Sequence, residues 1–534
     1  MGSTPLPRTP WRAWTLLVPL AGPPLVLLAV RRWDPGGDRG LANVLGAGIG
    51  LLLVLGWLAA FAGRSGHSRR VRLGVPLGVL VLVAVAGVLV RVDGVRGDMV
   101  PVLRWRLATG PATSAVGEAP ADPGHATGGV LLEVVAGRDW PGFLGEGRDG
   151  RVAGTRLATD WDEHPPRELW RAPIGPGWSG FAIAGGWAVT IEQGADGELV
   201  TLRSARAGQV IWTRPGGARF THGLGGDGPR ATPAIAEGRV VVLGARGWLA
   251  CLDGRDGAVL WEHDLLARFG ITPEAEAEQL QYGRSSSPLV SDGRVVVPVG
   301  GPAVGLVAFD LATGAVLWEG PARAASYSSP VRGTLVGIDQ VVVVNEASVS
   351  GHAFVDGRLL WEHPWPGRSS GDANASQPLL LHDRGGDGVL VSKGYGAGAL
   401  RLDLSPGGQG LVAAERWHVA RVLRTKFTSA VQRDGYLFGL DDGILTCVAL
   451  ADGKRIWKEG RFGHGQVLLA DDVLVVAAED GRILLVAPTP QDEGRVLASF
   501  QALEGKCWSV PAIADGVLLW RNDVECGAWE LPRP

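Results

Sequence analysis

The chain has 534 residues, a net charge of −3, 81 Gly, 21 Trp and four Cys. That length exceeds one ordinary domain, and the near-neutral balance excludes a global basic footprint for nucleic acid. Only five of the 51 basic residues are Lys, so a lone Arg carries little information. Abundant Gly and Trp among many short apolar runs point to all-β architecture.

Three apolar segments come first. Residues 13–30 carry no charge but hold Pro23 and Pro24; residues 41–63 and 73–90 are also uncharged. Each can span a hydrocarbon core of about 30 Å at about 1.5 Å per residue. A cleaved signal peptide explains one such segment, not three. Residues 1–98 therefore read as a three-helix membrane anchor. Arg8 and Arg12 precede the first segment, and Arg64, Arg69, Arg70 and Arg72 lie between the second and third. Placing both groups in the cytoplasm puts everything after residue 90 outside, on the periplasmic or extracellular side. Arg31, Arg32 and Arg39 then fall on the opposite side. The spans hold no ionisable residue, which argues against ion transport through them. Residues 99–136 read as a flexible linker, most clearly in "ATGPATSAVGEAPADPGHATGG" (108–129).

From residue 137 onward the chain is a string of short strands. Asp-Gly and Glu-Gly pairs mark the turns, as in "AEGRVVV", "SDGRVVV" and "RDGYLFG". A strand-ending aromatic recurs at Trp170, Trp212, Trp261, Trp318, Trp361, Trp417, Trp457 and Phe500, at intervals of 40 to 57 residues. That period fits four antiparallel strands per unit, a propeller blade. Eight positions predict eight blades. About three strands follow Phe500, so the last blade lacks one. The orphan "RELWRAPIG" (167–175) is expected to supply it and close the ring. Each Trp is expected to fill the wedge between blades. Gly208, Gly257, Gly314, Gly357 and Gly453 each stand four residues before their Trp, as a turn with positive φ requires.

The segment "VAFDLATGAVLW" (307–318), with Ala308, Asp310, Thr313, Gly314 and Trp318, resembles the tryptophan-docking repeat of the pyrroloquinoline-quinone-like (PQQ-like) eight-bladed propellers. "DWPGFLGEGRDG" (139–150) also looks like the start of this family's bacterial propellers. The resemblance covers about residues 137 to 534. It implies one of two activities. Quinoprotein dehydrogenases oxidise alcohols or sugars with PQQ and a calcium or magnesium ion. BamB-like propellers bind no cofactor and act as scaffolds in envelope assembly.

The dehydrogenase hardware is not legible. The adjacent-Cys pair of alcohol-oxidising members is missing, and so is any haem-attachment sequence. Glu192, Asn374 and Asp227 are candidate metal ligands with no recognisable motif around them. Cys251, Cys447, Cys507 and Cys526 read as buried small hydrophobes rather than disulfides or metal ligands. "DRGGDG" (383–388) lacks the closing Glu of a calcium loop, no HExxH or P-loop pattern occurs, and no nucleophile triad is legible. The expectation is a non-catalytic, cofactor-free and metal-free binding module in the cytoplasmic membrane. Its partner would be an envelope protein, peptide or saccharide. A membrane-bound quinoprotein sugar or alcohol dehydrogenase with PQQ and calcium is the alternative.

Candidate binding residues lie where each inner strand begins. Ser/Thr/Pro clusters there follow Arg230, Arg284, Lys426 and Lys506, which together would form a cationic rim. Tyr327, Asn374, Trp508 and Trp178 occupy the same class of loop. The plainer alternative is that the cations pair with nearby carboxylates and the Trp side chains pack in the core.

Overall fold

The structure is a computed structural model. It describes residues 18–33, 38–64, 67–106, 130–152, 154–369, 371–383, 385–408 and 410–534. Two compact units, Met1–Ala112 and Thr113–Pro534, are present.

The first unit holds helices α1 (Val18–Trp33), α2 (Arg39–Arg64) and α3 (Arg69–Leu89). By length and composition α2 and α3 are each able to cross a membrane, whereas α1 has 16 residues. Residues 13–17 of the first expected span, with Arg8 and Arg12, lie outside the described residues. Gly46 and Gly50 of α2 let α1 approach closely: a Cβ would stand 2.7 Å from Leu27 Cδ1 and 3.0 Å from Pro23 Cβ. Arg72 donates to the carbonyls of Ala62 and Gly63 and so satisfies the end of α2. The expected linker is partly structured. Pro101–Trp105 pairs antiparallel with Val90–Val95, as their Val-rich sequences favour. Residues 107–129 lie outside the described residues.

Among the described residues the second unit is an all-β, propeller-like array of eight sheets, seven with four antiparallel strands and one with a parallel fifth. They are numbered here by their first strands. These are Ala182–Ala184 (sheet 1), Ala234–Ala236 (2), Leu289–Ser291 (3) and Val331–Leu335 (4). The rest are Leu379–Asp383 (5), Val431–Arg433 (6), Gln466–Ala470 (7) and Ala512–Ala514 (8). The turn after the first strand has positive φ at both residues in Glu237-Gly238, Asp292-Gly293, Asp434-Gly435 and Asp515-Gly516. That is the primed hairpin turn which matches strand twist. Sheet 8 takes its fourth strand from Arg167–Pro173, with Trp170 opposite Ala528. The orphan strand thus joins the two ends of the unit, and the first strands of sheets 8 and 1 touch.

The Trp repeat works between sheets. The indole N–H of Trp212 donates to Gly254 O at 3.0 Å, Trp261 to Leu311 O at 2.9 Å, Trp318 to Phe354 O at 3.1 Å and Trp417 to Leu450 O at 3.0 Å. Every acceptor lies in the following sheet. Trp170 and Trp457 do the same with Ala205 and Thr489. Trp361 is the exception and donates to Gln340 of its own sheet. All four Cys are free and buried.

One segment has no counterpart in the repeat. Residues 138–152 run across the downstream end of the first strands. Trp140 exchanges hydrogen bonds with Ile183, and Pro141 O accepts from Ile235 N at 2.7 Å. Gly150 O accepts from Leu469 N at 2.9 Å, and Arg138 O from Asp515 N at 3.0 Å. Arg151–Val152 adds a parallel fifth strand to sheet 7. The segment therefore occupies inner edges of sheets 1, 2, 7 and 8 that otherwise have no backbone partner. This is the physical role of "DWPGFLGEGRDG".

Candidate functional site

The Ser/Thr/Pro clusters join neighbouring sheets. Gly180 N donates to Thr232 Oγ1 at 3.2 Å, Thr232 N to Ser287 Oγ at 2.9 Å, and Ser287 N to Ser329 Oγ at 2.9 Å. Farther round, Gln377 N donates to Ser429 Oγ at 3.3 Å. A hydroxyl at this register satisfies an inner backbone N–H that has no strand partner. These groups are buried.

The residue four positions before each first strand lies upstream of this ring. In sheet order these are Trp178, Arg230, Ser285, Tyr327, Ala375, Phe427 and Trp508. In sheet 7, whose first strand starts two residues earlier, the equivalent is His464. Four of them form a continuous aromatic arc. Ring centroids lie 5.0 Å apart for Trp178 and Trp508, 4.9 Å for Phe427 and Trp508, and 5.7 Å for Phe427 and His464. Gln466 holds the arc from behind, donating through Nε2 to Phe427 O at 3.1 Å and Trp508 O at 2.9 Å. Trp508 Nε1 donates to Glu479 Oε1 at 2.8 Å, which fixes the ring plane.

Lys506 sits on this arc. Its ammonium lies 4.0 Å from the Trp508 centroid and 4.9 Å from that of Trp178. Cation–π contact of this kind holds a charge without neutralising it. Burial pushes the Lys506 pKa below the usual range, against the pull of Asp523 and Glu479. Arg230 spends its guanidinium on the carbonyls of Gly225, Gly226 and Gly228. Burial lowers its pKa to about 10. His464 has both ring nitrogens buried without a hydrogen-bond partner. Burial, assisted by Lys426, pushes its pKa down to about 3, so the ring is neutral at physiological pH. The upstream mouth therefore offers flat apolar faces beside two cations.

The other predicted rim residues are buried. Arg284 is buried and bonded to Glu276 at 2.7 Å and to Val299 O at 2.9 Å. The short helix Pro273–Gln279 supplies that Glu, so the Arg284 charge is spent internally. Tyr327 occupies the mouth register but is buried, its hydroxyl donating to Ser369 O at 3.0 Å. Asn374 is buried, with Nδ2 donating to the carbonyls of Asn345, Glu346 and Trp365. Lys426 is buried with its ammonium 5.3 Å from the Tyr395 ring. Sequence reading missed Phe427 and His464. Their signal is positional: each stands two residues before the stapling register.

A family model described as outer membrane protein assembly factor BamB matches residues 195–459. BamB from Burkholderia pseudomallei (strain K96243) is 28% identical over 248 residues, covering 40% of this chain. These matches support a PQQ-like propeller of the BamB-like branch. The chain spans 64% of that curated relative's length. Solved structures agree on the fold. BamB from Moraxella catarrhalis superposes with a TM-score of 0.50 at 12% identity, over 68% of this chain and 98% of the other. Quinohemoprotein alcohol dehydrogenase from Comamonas testosteroni gives 0.53 at 14% identity, over 73% and 80%. These likenesses show architecture alone.

Within this BamB-like propeller the sequence-picked donors do not fit a calcium ion. Glu192 accepts from Gly175 N at 2.5 Å and from Thr201 Oγ1 at 2.8 Å, so both of its oxygens are engaged. Asn374 precedes sheet 5, and its amide is pinned to three carbonyls. Asp227 lies in the loop before sheet 2. Elsewhere, Asp160, Glu163 and His164 bring ligand atoms within 4.8 Å of one another on an exposed turn.

Proposed function

We propose that the protein is a membrane-anchored scaffold whose upstream mouth binds an acidic segment of another envelope protein. In this reading the eight sheets are the blades of one closed eight-bladed ring. The three apolar helices form a multi-pass anchor in the cytoplasmic membrane. Residues 137–534, the propeller, then lie on the periplasmic or extracellular side, beyond a tether at 99–136. The likeness to an outer membrane protein assembly factor supports a binding role in the envelope.

The observation that carries the reading is Lys506 over Trp508 and Trp178. Lys506 and Arg230 have no ion pair among the described residues. A carboxylate partner therefore gains a charge-assisted contact, and its apolar neighbours gain the aromatic faces. Arg230, Phe427, Lys506 and Trp508 are the proposed contact residues. Placing a photo-crosslinking p-benzoylphenylalanine at Phe427 tests this in cells. A discrete protein adduct that disappears with Lys506→Glu is the expected result. Adducts indifferent to Lys506→Glu count against it.

The alternative is a quinoprotein dehydrogenase, a class with members that share this architecture. Titration with PQQ and calcium, followed by dye reduction with glucose or ethanol, separates the two. Saturable turnover would establish the enzyme.

A further inference from the structure

Among the described residues, Arg148 is a buried cation without a counter-ion. Its residue is 7% exposed. Nη1 donates to Pro288 O at 2.9 Å and Nη2 to Ser287 O at 3.1 Å, while Nε is buried with no partner. Burial alone lowers its pKa to about 9, and no acidic group opposes that shift. The other deeply buried arginines of the propeller include three with carboxylates in contact. Arg284 holds Glu276 at 2.7 Å, Arg401 holds Asp383 at 2.8 Å, and Arg424 holds Asp441 at 2.6 Å. A buried charge that has lost its water and gained no counter-charge is strongly unfavourable.

The backbone makes the placement more pointed. Arg148 has φ 51, a left-handed conformation that L side chains rarely adopt. It stands in a Gly-rich turn between Gly147 and Gly150, where Gly would cost nothing. Gln377 donates to its carbonyl and anchors the turn from sheet 5. A strained residue that its surroundings over-determine signals a use for the side chain.

Arg148 lines a cleft of about 430 Å³ at the downstream mouth, between the segment 138–152 and the first strands of sheets 3 and 4. Arg332, also in the lining, is already neutralised by Asp339 and Asp292 at 2.7 and 2.6 Å. The remaining polar lining is dominated by acceptors and hydroxyls: Glu146, Asp339, Ser291 and Thr334. Sheet 4 also presents its first strand with no partner on the inner side. One free positive charge surrounded by acceptors suits a ligand with one carboxylate and several hydroxyl donors. We propose that this cleft is a second binding site, for a small hydroxylated carboxylate of sugar-acid type, with Arg148 as its cation. The site lies at the opposite end of the propeller from the aromatic arc and is independent of the scaffold reading.

Calorimetric titration of the full chain with glucuronate tests the proposal, with glucose as the neutral control. Glucuronate is expected to saturate and to bind at least about tenfold more tightly than glucose, because only the acid supplies the counter-charge. Arg148→Met is expected to abolish the titration. Thr334→Trp fills the cleft from an exposed position and leaves Arg148 and its carbonyl contacts in place. It is also expected to abolish binding, with an unchanged circular dichroism spectrum, and so decides the question if Arg148→Met fails to fold. No binding of glucuronate, equal binding of glucose, or binding that survives Thr334→Trp overturns the site.

Discussion

Trp261 lies on Gly314 of the following sheet. The indole N–H reaches Leu311 O at 2.9 Å, and a Cβ on Gly314 would stand 2.7 Å from Trp261 Cδ2. Gly314 has φ +72, so it serves both its own turn and its neighbour's Trp. Gly435 has φ +81 with nothing within 4 Å of a Cβ. Gly435→Ala is expected to cost only backbone strain, about 1–2 kcal/mol. Gly314→Ala is expected to cost about 1–3 kcal/mol more, because the ring must also move. Denaturant midpoints of the two variants measure the difference, and equal losses would remove Trp docking as a source of stability.

Ring closure makes a second prediction. Arg167–Pro173 reaches sheet 8 only through Glu525–Glu530. Truncation after residue 524 leaves Trp170 and the outer edge of Val517–Arg521 without a partner strand. The expected outcome is loss of a single cooperative unfolding transition, read by calorimetry. Truncation of Arg533 and Pro534 alone, beyond the last strand, is expected to leave it intact.

Glu198 carries a pH dependence. The residue is buried, Oε1 accepts from Ala245 N at 2.9 Å, and Oε2 has no partner. Burial raises its pKa from 4.5 to about 7, against the pull of Arg230 and Arg246. A raised carboxyl pKa means the native state holds the proton more tightly. Stability is therefore highest below about pH 4.5, falls up to about pH 7, and is flat above it. The loss is at most about 3 kcal/mol. Glu198→Gln is expected to flatten this slope and to raise Tm at pH 8 but not at pH 4.5. A slope that persists in the variant places its origin elsewhere.

The cysteines should be inert. Burial pushes the thiols of Cys251 and Cys447 up to about 12 and that of Cys507 well above its ordinary value. A thiolate reagent is expected to label none of the four in the native protein and all four in denaturant. Fewer than four in denaturant without reductant would reveal a disulfide.

How much of this was written in the sequence depends on whether a feature is local. Asp434-Gly435 announces its hairpin because the turn conformation is set by those two residues. The constant Gly before each Trp was legible as a turn. Its second role was not, since the ring that needs it comes from the preceding repeat. Lys506 and Trp508 were visible as departures from the repeat. Phe427 and His464 were not, because the mouth register emerges only once Gly180, Thr232, Ser287 and Ser429 are seen stapling adjacent sheets. Arg284 shares the basic-then-hydroxyl pattern of Arg230. The Glu276 that neutralises it arrives on a loop helix whose docking no local rule predicts.

The mouth assignment is tested most directly by crosslinking from Phe427. With p-benzoylphenylalanine there, irradiation of intact cells is expected to yield one dominant protein adduct. Lys506→Glu is expected to reduce it at least about tenfold, while Tm stays unchanged. The same adduct at the same yield in Lys506→Glu would contradict binding of an acidic segment at this mouth.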